Sequence, residues 1–275
     1  MKNHDTDCRN EDKTKLEYGL ELTSNSKVGW AFSLPRTETC IGATGICRQV
    51  CYGNGIRYQS KGQKEKRARN LRTVEFLLAE GGPGLLAENL SMLVEQARPR
   101  DWLTARITGG KTTIPFCLRI QDVGDFFSVE YVLAWVLVVR KYVDCAFWFY
   151  TRSFVELDML MALTELAALP NCQGWLSVDS ENFSKAILAK CNTPVGVWKL
   201  ALMQDKDLLP EVLVSLKQSA PVGEVVHFPV HRGGHHVEPI RDKVLTTCPA
   251  VTGVYKLQSN AALARPCQIC SFCLP

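Results

Sequence analysis

From residue 115 to residue 230 the chain repeats one pattern: a short apolar run, a polar turn, then a longer stretch with apolar residues at helical spacing. PFCLRI (115–120) is strand-like and leads to SVEYVLAWVLVVRKY (128–142), a helix expected to start at its Ser cap. CAFWFYT (145–151) precedes helical VELDMLMALTELAAL (155–169), and CQGWLSV (172–178) precedes a shorter helix at SKAILAK (184–190). VGVWKLALM (195–203) precedes LLPEVLVSLKQ (208–218), where Pro210 suits a first helical turn. EVVHFPV (224–230) is the last clear strand; upstream, WAFSLP (30–35) reads as the first, with helices at 66–79 and 84–98.

Strands that alternate with helices imply a parallel sheet with crossover connections, and several runs are continuously apolar, as expected where both faces are covered. Six strand–helix units fall short of a full eight-fold barrel. The expected fold is therefore α/β, a partial (β/α)6 TIM-like barrel, with a doubly wound sheet as the alternative. It would run over residues 30–240, after a polar N-terminal segment (1–29) and before a Cys-rich tail (241–275) packed on it. Chemistry in such a fold sits where strands end and helices begin. Those ends carry Asp122 and Asp125, then Thr151, Arg152 and Ser153, then Asp179 and Ser180, and finally His231 and Arg232. Asp125, Arg152 and Asp179 are the candidate catalytic residues. Arg152 suits an anionic substrate as a planar fork, or an internal pair with Asp125 or Asp179.

The cysteines sharpen this picture. Twelve occur in 275 residues, and six fall into two clusters. The charge of +4 neither requires nor excludes nucleic acid, no apolar run reaches the ~20 residues of a membrane span, and the polar N-terminus lacks a secretory core, so a cytoplasmic location is expected. In a reducing cytosol, closely spaced cysteines point to metal or redox chemistry rather than disulfides. Cys267, Cys270 and Cys273 form C-x2-C-x2-C, the spacing of the first three ligands in a bacterial ferredoxin run. Cys248, followed by Pro249, is the candidate fourth ligand. Cys40, Cys47 and Cys51 form C-x6-C-x3-C in a glycine-rich loop, with Tyr52 directly after as a candidate cofactor contact. Three thiolates without a local fourth suit a cubane with one iron open to another ligand. One or two [4Fe-4S] clusters are the expected cofactors, and zinc is the competitor.

Two further stretches carry candidate chemistry. HFPVHRGGHH (227–236) holds four of the five histidines, a group suited to metal binding or proton transfer. RYQSKGQKEKRARNLR (57–72) carries seven Lys/Arg against one Glu, which reads either as a nucleic acid contact or as a solvated helix start. The chain contains no nucleophile elbow, P-loop or GxGxxG fingerprint.

FSLPRTETCIGATGICRQVCYG, RIQDVGDFFSVEYVLAW, FWFYTRS, LSVD and the terminal C-x2-C-x2-C together resemble the gene product 88 family of phages and mobile elements, from about residue 30 onward. A looser resemblance is to radical S-adenosylmethionine enzymes, which place three cluster cysteines after the first strand of a partial barrel and a Gly-Gly-Glu motif after the second. Gly124 and Asp125 hold the matching place here, so the resemblance implies cofactor binding at Gly124 and S-adenosylmethionine as a further cofactor. Departures are the C-x6-C-x3-C spacing, Asp in place of Glu and a single preceding Gly. The combined expectation is an iron–sulfur protein doing redox or radical chemistry on a small molecule or nucleotide. The alternative is a non-enzymatic iron–sulfur or zinc protein of a mobile element, which senses redox state or binds nucleic acid through residues 57–72.

Overall fold

A short hairpin opens the sheet: β1 (Thr23–Asn25) pairs antiparallel with β2 (Gly29–Ala31). Six more strands follow, each parallel to the one before: β3 (Phe116–Ile120), β4 (Cys145–Thr151), β5 (Cys172–Val178), β6 (Trp198–Gln204), β7 (Val225–Pro229) and β8 (Leu245–Thr247). The computed structural model describes residues 19–25, 27–107, 116–206, 208, 210–220, 222–230, 237–238, 240, 245–249, 251 and 266–275. His231, Arg232, His235 and His236 lie outside the described residues.

The order of the eight strands is sequential from edge to edge, and β8 does not pair back onto β1, so the sheet is open. A doubly wound sheet reverses its order at a switch point; this one does not. Where the apolar pattern predicts six strands, the described residues form eight. The added ones, β1 and β8, are three-residue strands in the segments expected to be the N-terminal segment and the tail. Pieces this short are held by their neighbours' ladders rather than by any periodicity of their own.

The helices follow the predicted order. After β2 come α1 (Arg36–Thr39), α2 (Gly45–Val50) and α3 (Ile56–Gln59), all short, then the long α4 (Lys61–Ile107). The two helices predicted at 66–79 and 84–98 are segments of α4, which breaks at Gly81 and Gly82, where the backbone angles leave the helical region. Then follow α5 (Val129–Lys141), α6 (Leu157–Ala167), α7 (Phe183–Cys191), α8 (Pro210–Ser219) and, in the tail, α9 (Pro266–Cys270). The Ser128 hydroxyl accepts from Tyr131 N at 3.2 Å, capping α5 as expected.

Side chains alternate along each strand, and this alternation divides the interior in two. Cys145, Phe147 and Phe149 of β4, Leu176 and Val178 of β5, and Leu200 and Leu202 of β6 join the helices in the main core. The intervening residues face the other way: Ala31, Cys117, Ala146 and Trp148 form one cluster, and Trp175, Ala201, Val226 and Cys248 another. Cys267, Phe272, Cys273 and Leu274 pack on these two clusters. The sheet thus carries helices on one side and the cysteine-bearing tail on the other. Among the described residues no helix is long and apolar enough to cross a membrane.

His227 belongs to the helix-facing set of β7 and is fully buried. Its Nε2 lies 2.5 Å from Gln204 Oε1, which can only accept, so Nε2 donates and Nδ1 is left to face the Thr247 hydroxyl at 3.2 Å. Burial pushes its pKa down from 6.5 to about 4. The unfolded chain therefore takes up this proton at higher pH than the fold does. The stability tied to the neutral ring is present above pH 6.5 and is lost as pH falls toward 4. Melting curves across that interval should show a falling midpoint, and His227→Gln should flatten the fall.

Candidate functional site: two cysteine groups on one cavity

The first cysteine group rests on the ends of the parallel strands. Beyond β2 the chain runs on beside β3, with Leu34 N donating to Val123 O at 2.8 Å. It then turns through α1, and Cys40 stands at the end of that helix. Thr44 caps α2: its hydroxyl accepts from Cys47 N at 3.0 Å and donates to Asp179 Oδ2 at 2.6 Å. The Glu181 carboxylate accepts from Gly45 N at 2.9 Å and Ile46 N at 2.8 Å. Cys47 lies in α2 and Cys51 at its end, so a short helix pinned to the loop after β5 presents both.

Beneath this loop, Asp125, Arg152 and Asp179 form one buried network. Asp125 Oδ1 accepts from Thr151 Oγ1 at 2.7 Å and Phe126 N at 2.8 Å, and its Oδ2 accepts from Arg152 N at 2.7 Å. Arg152 Nη1 reaches Asp179 Oδ2 at 2.5 Å, while Asp179 Oδ1 accepts from Glu181 N at 2.9 Å. Desolvation pushes Asp125 up to about 6, against the pull of its hydrogen bonds. The three residues singled out as catalytic candidates do come together. Both carboxylates are filled with protein donors; the Asp179 carboxylate holds the cysteine loop through Thr44 and Glu181, and the Asp125 backbone N–H holds it through Thr39.

Two glycines permit the close approach. A Cβ on Gly42 would lie 1.9 Å from Arg152 O, so the loop crosses directly over the end of β4. Gly124 has φ +86°, and a Cβ there would meet Leu34 O at 2.7 Å and Thr39 Oγ1 at 2.8 Å. Gly124 therefore serves the packing of the loop. Tyr52, the other candidate cofactor contact, accepts from Arg119 Nη2 at 3.1 Å and meets the Tyr58 ring edge-on at 5.6 Å.

The second group gathers from two distant segments. Cys248 follows β8 and packs in the same apolar cluster as Cys273, and Cys248 and Cys270 lie near enough to help raise the Cys267 and Cys273 thiols. The tail is fixed by Cys267 N donating to Lys27 O at 3.1 Å and Trp175 Nε1 donating to Cys273 O at 3.1 Å. Two donors aim at sulfur: the Tyr150 hydroxyl at Cys273 Sγ, 2.9 Å, and Lys27 Nζ at Cys248 Sγ, 3.6 Å.

Burial raises the thiols of Cys40 and Cys47, with Asp125 the next cause at Cys40 and Arg152 opposing the rise at Cys47. It raises Cys267 to about 11 and Cys273 to about 12. Among the described residues no three His, Cys, Asp or Glu side chains stand close enough to hold a single metal ion. The thiolates of a cubane each bind a different iron and stand further apart than the ligands of one ion. Both groups border one cavity of ≈ 1200 Å³, lined by Cys47 and Cys51 of the first and by Cys248, Cys267, Cys270 and Cys273 of the second.

Three of the seven basic residues of the stretch 57–72 are tied within the fold, while Arg57, Lys61, Lys64 and Arg72 are exposed. Lys66 and Arg69 pair with Glu21 at 2.5 and 2.7 Å, and buried Arg67 donates to Tyr58 O at 2.5 Å. Sequence reasoning missed Lys27, Thr44, Arg119, Tyr150 and Glu181. Only Arg119 carried a signal, as a charge inside an otherwise apolar strand.

A family model described as "Gene product 88" matches residues 3–274. The chain is 30% identical over 166 residues to the Gene 88 protein of Mycobacterium phage D29, covering 59% of this chain and 62% of that one. It is 29% identical over 166 residues to the Gene 88 protein of Mycobacterium phage L5, covering 59% of this chain and 63% of that one. The chain thus spans about three fifths of the length of the curated relatives it matches. No solved structure matches it.

Two substitutions test the network. Arg152→Met leaves the buried Asp179 carboxylate without its cation and should cost about 3–5 kcal/mol in denaturant unfolding. Gly42→Ala forces the loop off β4 and should cost about 1–3 kcal/mol, with faster alkylation of Cys47.

Proposed function

We propose that this chain, which belongs to the gene product 88 family, holds iron–sulfur clusters at its two cysteine groups and performs redox chemistry on a small molecule or nucleotide taken into the cavity between them. The reading rests most on the tail group, where Cys248 and the C-x2-C-x2-C segment converge on one apolar face with two hydrogen-bond donors aimed at their sulfurs. Donors of this kind accompany cluster thiolates, which carry more negative charge than ordinary thiols.

Cys248, Cys267, Cys270 and Cys273 would hold a fully cysteine-ligated cluster, and Cys40, Cys47 and Cys51 one with a free iron coordination position. A cubane supplies one-electron transfer. The chain's own residues do the rest: Asp125, Arg152 and Asp179 fix the loop, and the tail covers the sheet face and limits water. We also read the sheet as a partial (β/α) barrel, since sequential parallel order with helices on one side is what an incompletely closed barrel requires.

S-adenosylmethionine finds less support. Gly124 is packed against Leu34 and Thr39, and every oxygen of Asp125 already accepts from the protein. Nucleic acid binding through residues 57–72 is weakened likewise, with Lys66, Arg67 and Arg69 tied to Glu21 and Tyr58.

Iron and acid-labile sulfide analysis of anaerobically purified protein tests the proposal. About eight of each per chain are expected for two cubanes, falling by half in Cys47→Ser and by half in Cys270→Ser. Stoichiometric zinc without sulfide, or neither metal, would overturn it.

A further inference from the structure

One wall of the cavity alternates rings and cations. The Tyr58 and Tyr52 rings meet edge-on at 5.6 Å. The Arg119 guanidinium lies 5.9 Å from the centre of the Tyr52 ring and 4.8 Å from that of Tyr150. Tyr150 in turn meets the Phe228 ring at 5.9 Å, and Lys27 Nζ stands 5.8 Å from the Phe228 ring centre. All six residues line the cavity, so the row runs unbroken along it. None of the four rings is fully buried. Each tyrosine hydroxyl is taken within the protein: Tyr52 by Arg119, Tyr58 by Asp122 and Tyr150 by Cys273. What the tyrosines offer a ligand is therefore ring surface.

The charge of the lining has one dominant sign. Lys27, Arg57, Arg119 and Arg152 stand against a single carboxylate, Asp122. Arg152 is held by Asp179, and Asp122 is shared between Arg119 at 3.2 Å and the Tyr58 hydroxyl at 3.2 Å. Arg57, next to Tyr58 in the chain, is exposed and makes no ion pair among the described residues. Cations thus stand at both ends of the row, with Arg119 between them. Asp122 and Tyr52 hold Arg119 in place before any ligand arrives, yet its buried Nε–H has no hydrogen-bond partner among the described residues.

We propose that this wall binds a nucleotide, its base against the rings and its phosphate on the flanking cations. The inference deepens the reading above by naming the ligand class of the same cavity, and it rests on that reading only in taking the cavity as the site. A row of rings alone would suit an apolar ligand, and a row of cations alone an inorganic anion. Alternation calls for a ligand that itself joins planar rings to negative charge. Every base has a face that stacks on an aromatic side chain, and Arg and Lys supply donors to phosphate oxygens. A cavity of ≈ 1200 Å³ has room for a ligand of this size. Because Arg119 is already oriented, little freedom is lost there on binding. A free nucleotide and the end of a single strand share this chemistry, and the test separates them.

The test is calorimetric titration of the purified protein with the four nucleoside monophosphates. Ribose 5-phosphate and the four nucleosides serve as arms lacking base or phosphate, and a mixed-sequence deoxyhexanucleotide represents a strand. At least one monophosphate should bind at least tenfold tighter than its nucleoside and than ribose 5-phosphate. Tighter binding of the hexanucleotide identifies the ligand as a strand, and equal or weaker binding identifies it as a free nucleotide. Tyr52→Leu should weaken binding about 5- to 100-fold with its salt dependence unchanged. Arg57→Gln, at an exposed position, should weaken it about tenfold and make the salt dependence shallower. Arg72→Gln, exposed and outside the cavity lining, should leave it unchanged. Saturable binding of neither monophosphate nor hexanucleotide would overturn the inference, as would affinities in Tyr52→Leu and Arg57→Gln equal to wild type. Iron analysis of the same samples keeps the two readings apart: nucleotide binding by iron-free protein supports this inference and contradicts the clusters, while iron-loaded protein that binds no nucleotide does the reverse.

Discussion

The arrangement depends on one buried ion pair, Arg152 with Asp179, whose side chains are 7% and 0% exposed. A pair this deep stabilises only if its remaining hydrogen-bonding capacity is filled, and here it is filled by the cysteine loop and its supports. Asp179 accepts from Thr44, which caps α2; Arg152 N donates to Asp125; and Gly42 passes over the Arg152 carbonyl. The desolvation of these charges is offset by contacts that exist only when the loop lies flat on the strand ends. Fold and loop are therefore mutually dependent, and the first cysteine group is held in place by buried charges.

A second constraint comes from the sheet. Seven parallel strands run in sequential order, and among the described residues the helices α4 to α8 pack on one side of them, which leaves the other side to be covered by something else. Trp148 and Trp175 are fully buried on that side, so something must cover them. The last residues of the chain do so, and they carry three cysteines with them. Burying an aromatic face and bringing a C-x2-C-x2-C segment to Cys248 are one event.

Much of this was legible in the chain. The strand–helix alternation located the central elements to within a few residues, because long apolar strands and amphipathic helices carry strong periodic signals. The break in α4 fell between the two helices the pattern predicts, at Gly81 and Gly82. β1 and β8 escaped notice because three residues are too few to show a period. At the site, the spacing of cysteines and the strand-end position of Asp125, Arg152 and Asp179 were enough to name them. Their partners were not legible. Glu181 and Lys27 look like ordinary surface charges in sequence, and nothing local says that one caps a helix 136 residues away or that the other points at a sulfur 221 residues away. Contacts at such separations are created by topology, and so is the fate of Lys66 and Arg69, a basic patch by sequence and internal partners of Glu21 in the fold.

The proposed function turns on whether both cysteine groups hold clusters. The most direct measurement is the electron paramagnetic resonance spectrum of the fully reduced, anaerobically purified protein. Two cubanes bordering one cavity should give a spectrum broadened by mutual spin interaction, which sharpens to a simple signal when either group is removed by a serine substitution. A spectrum without any cluster signal, or one unchanged by serine at Cys47, would contradict the account.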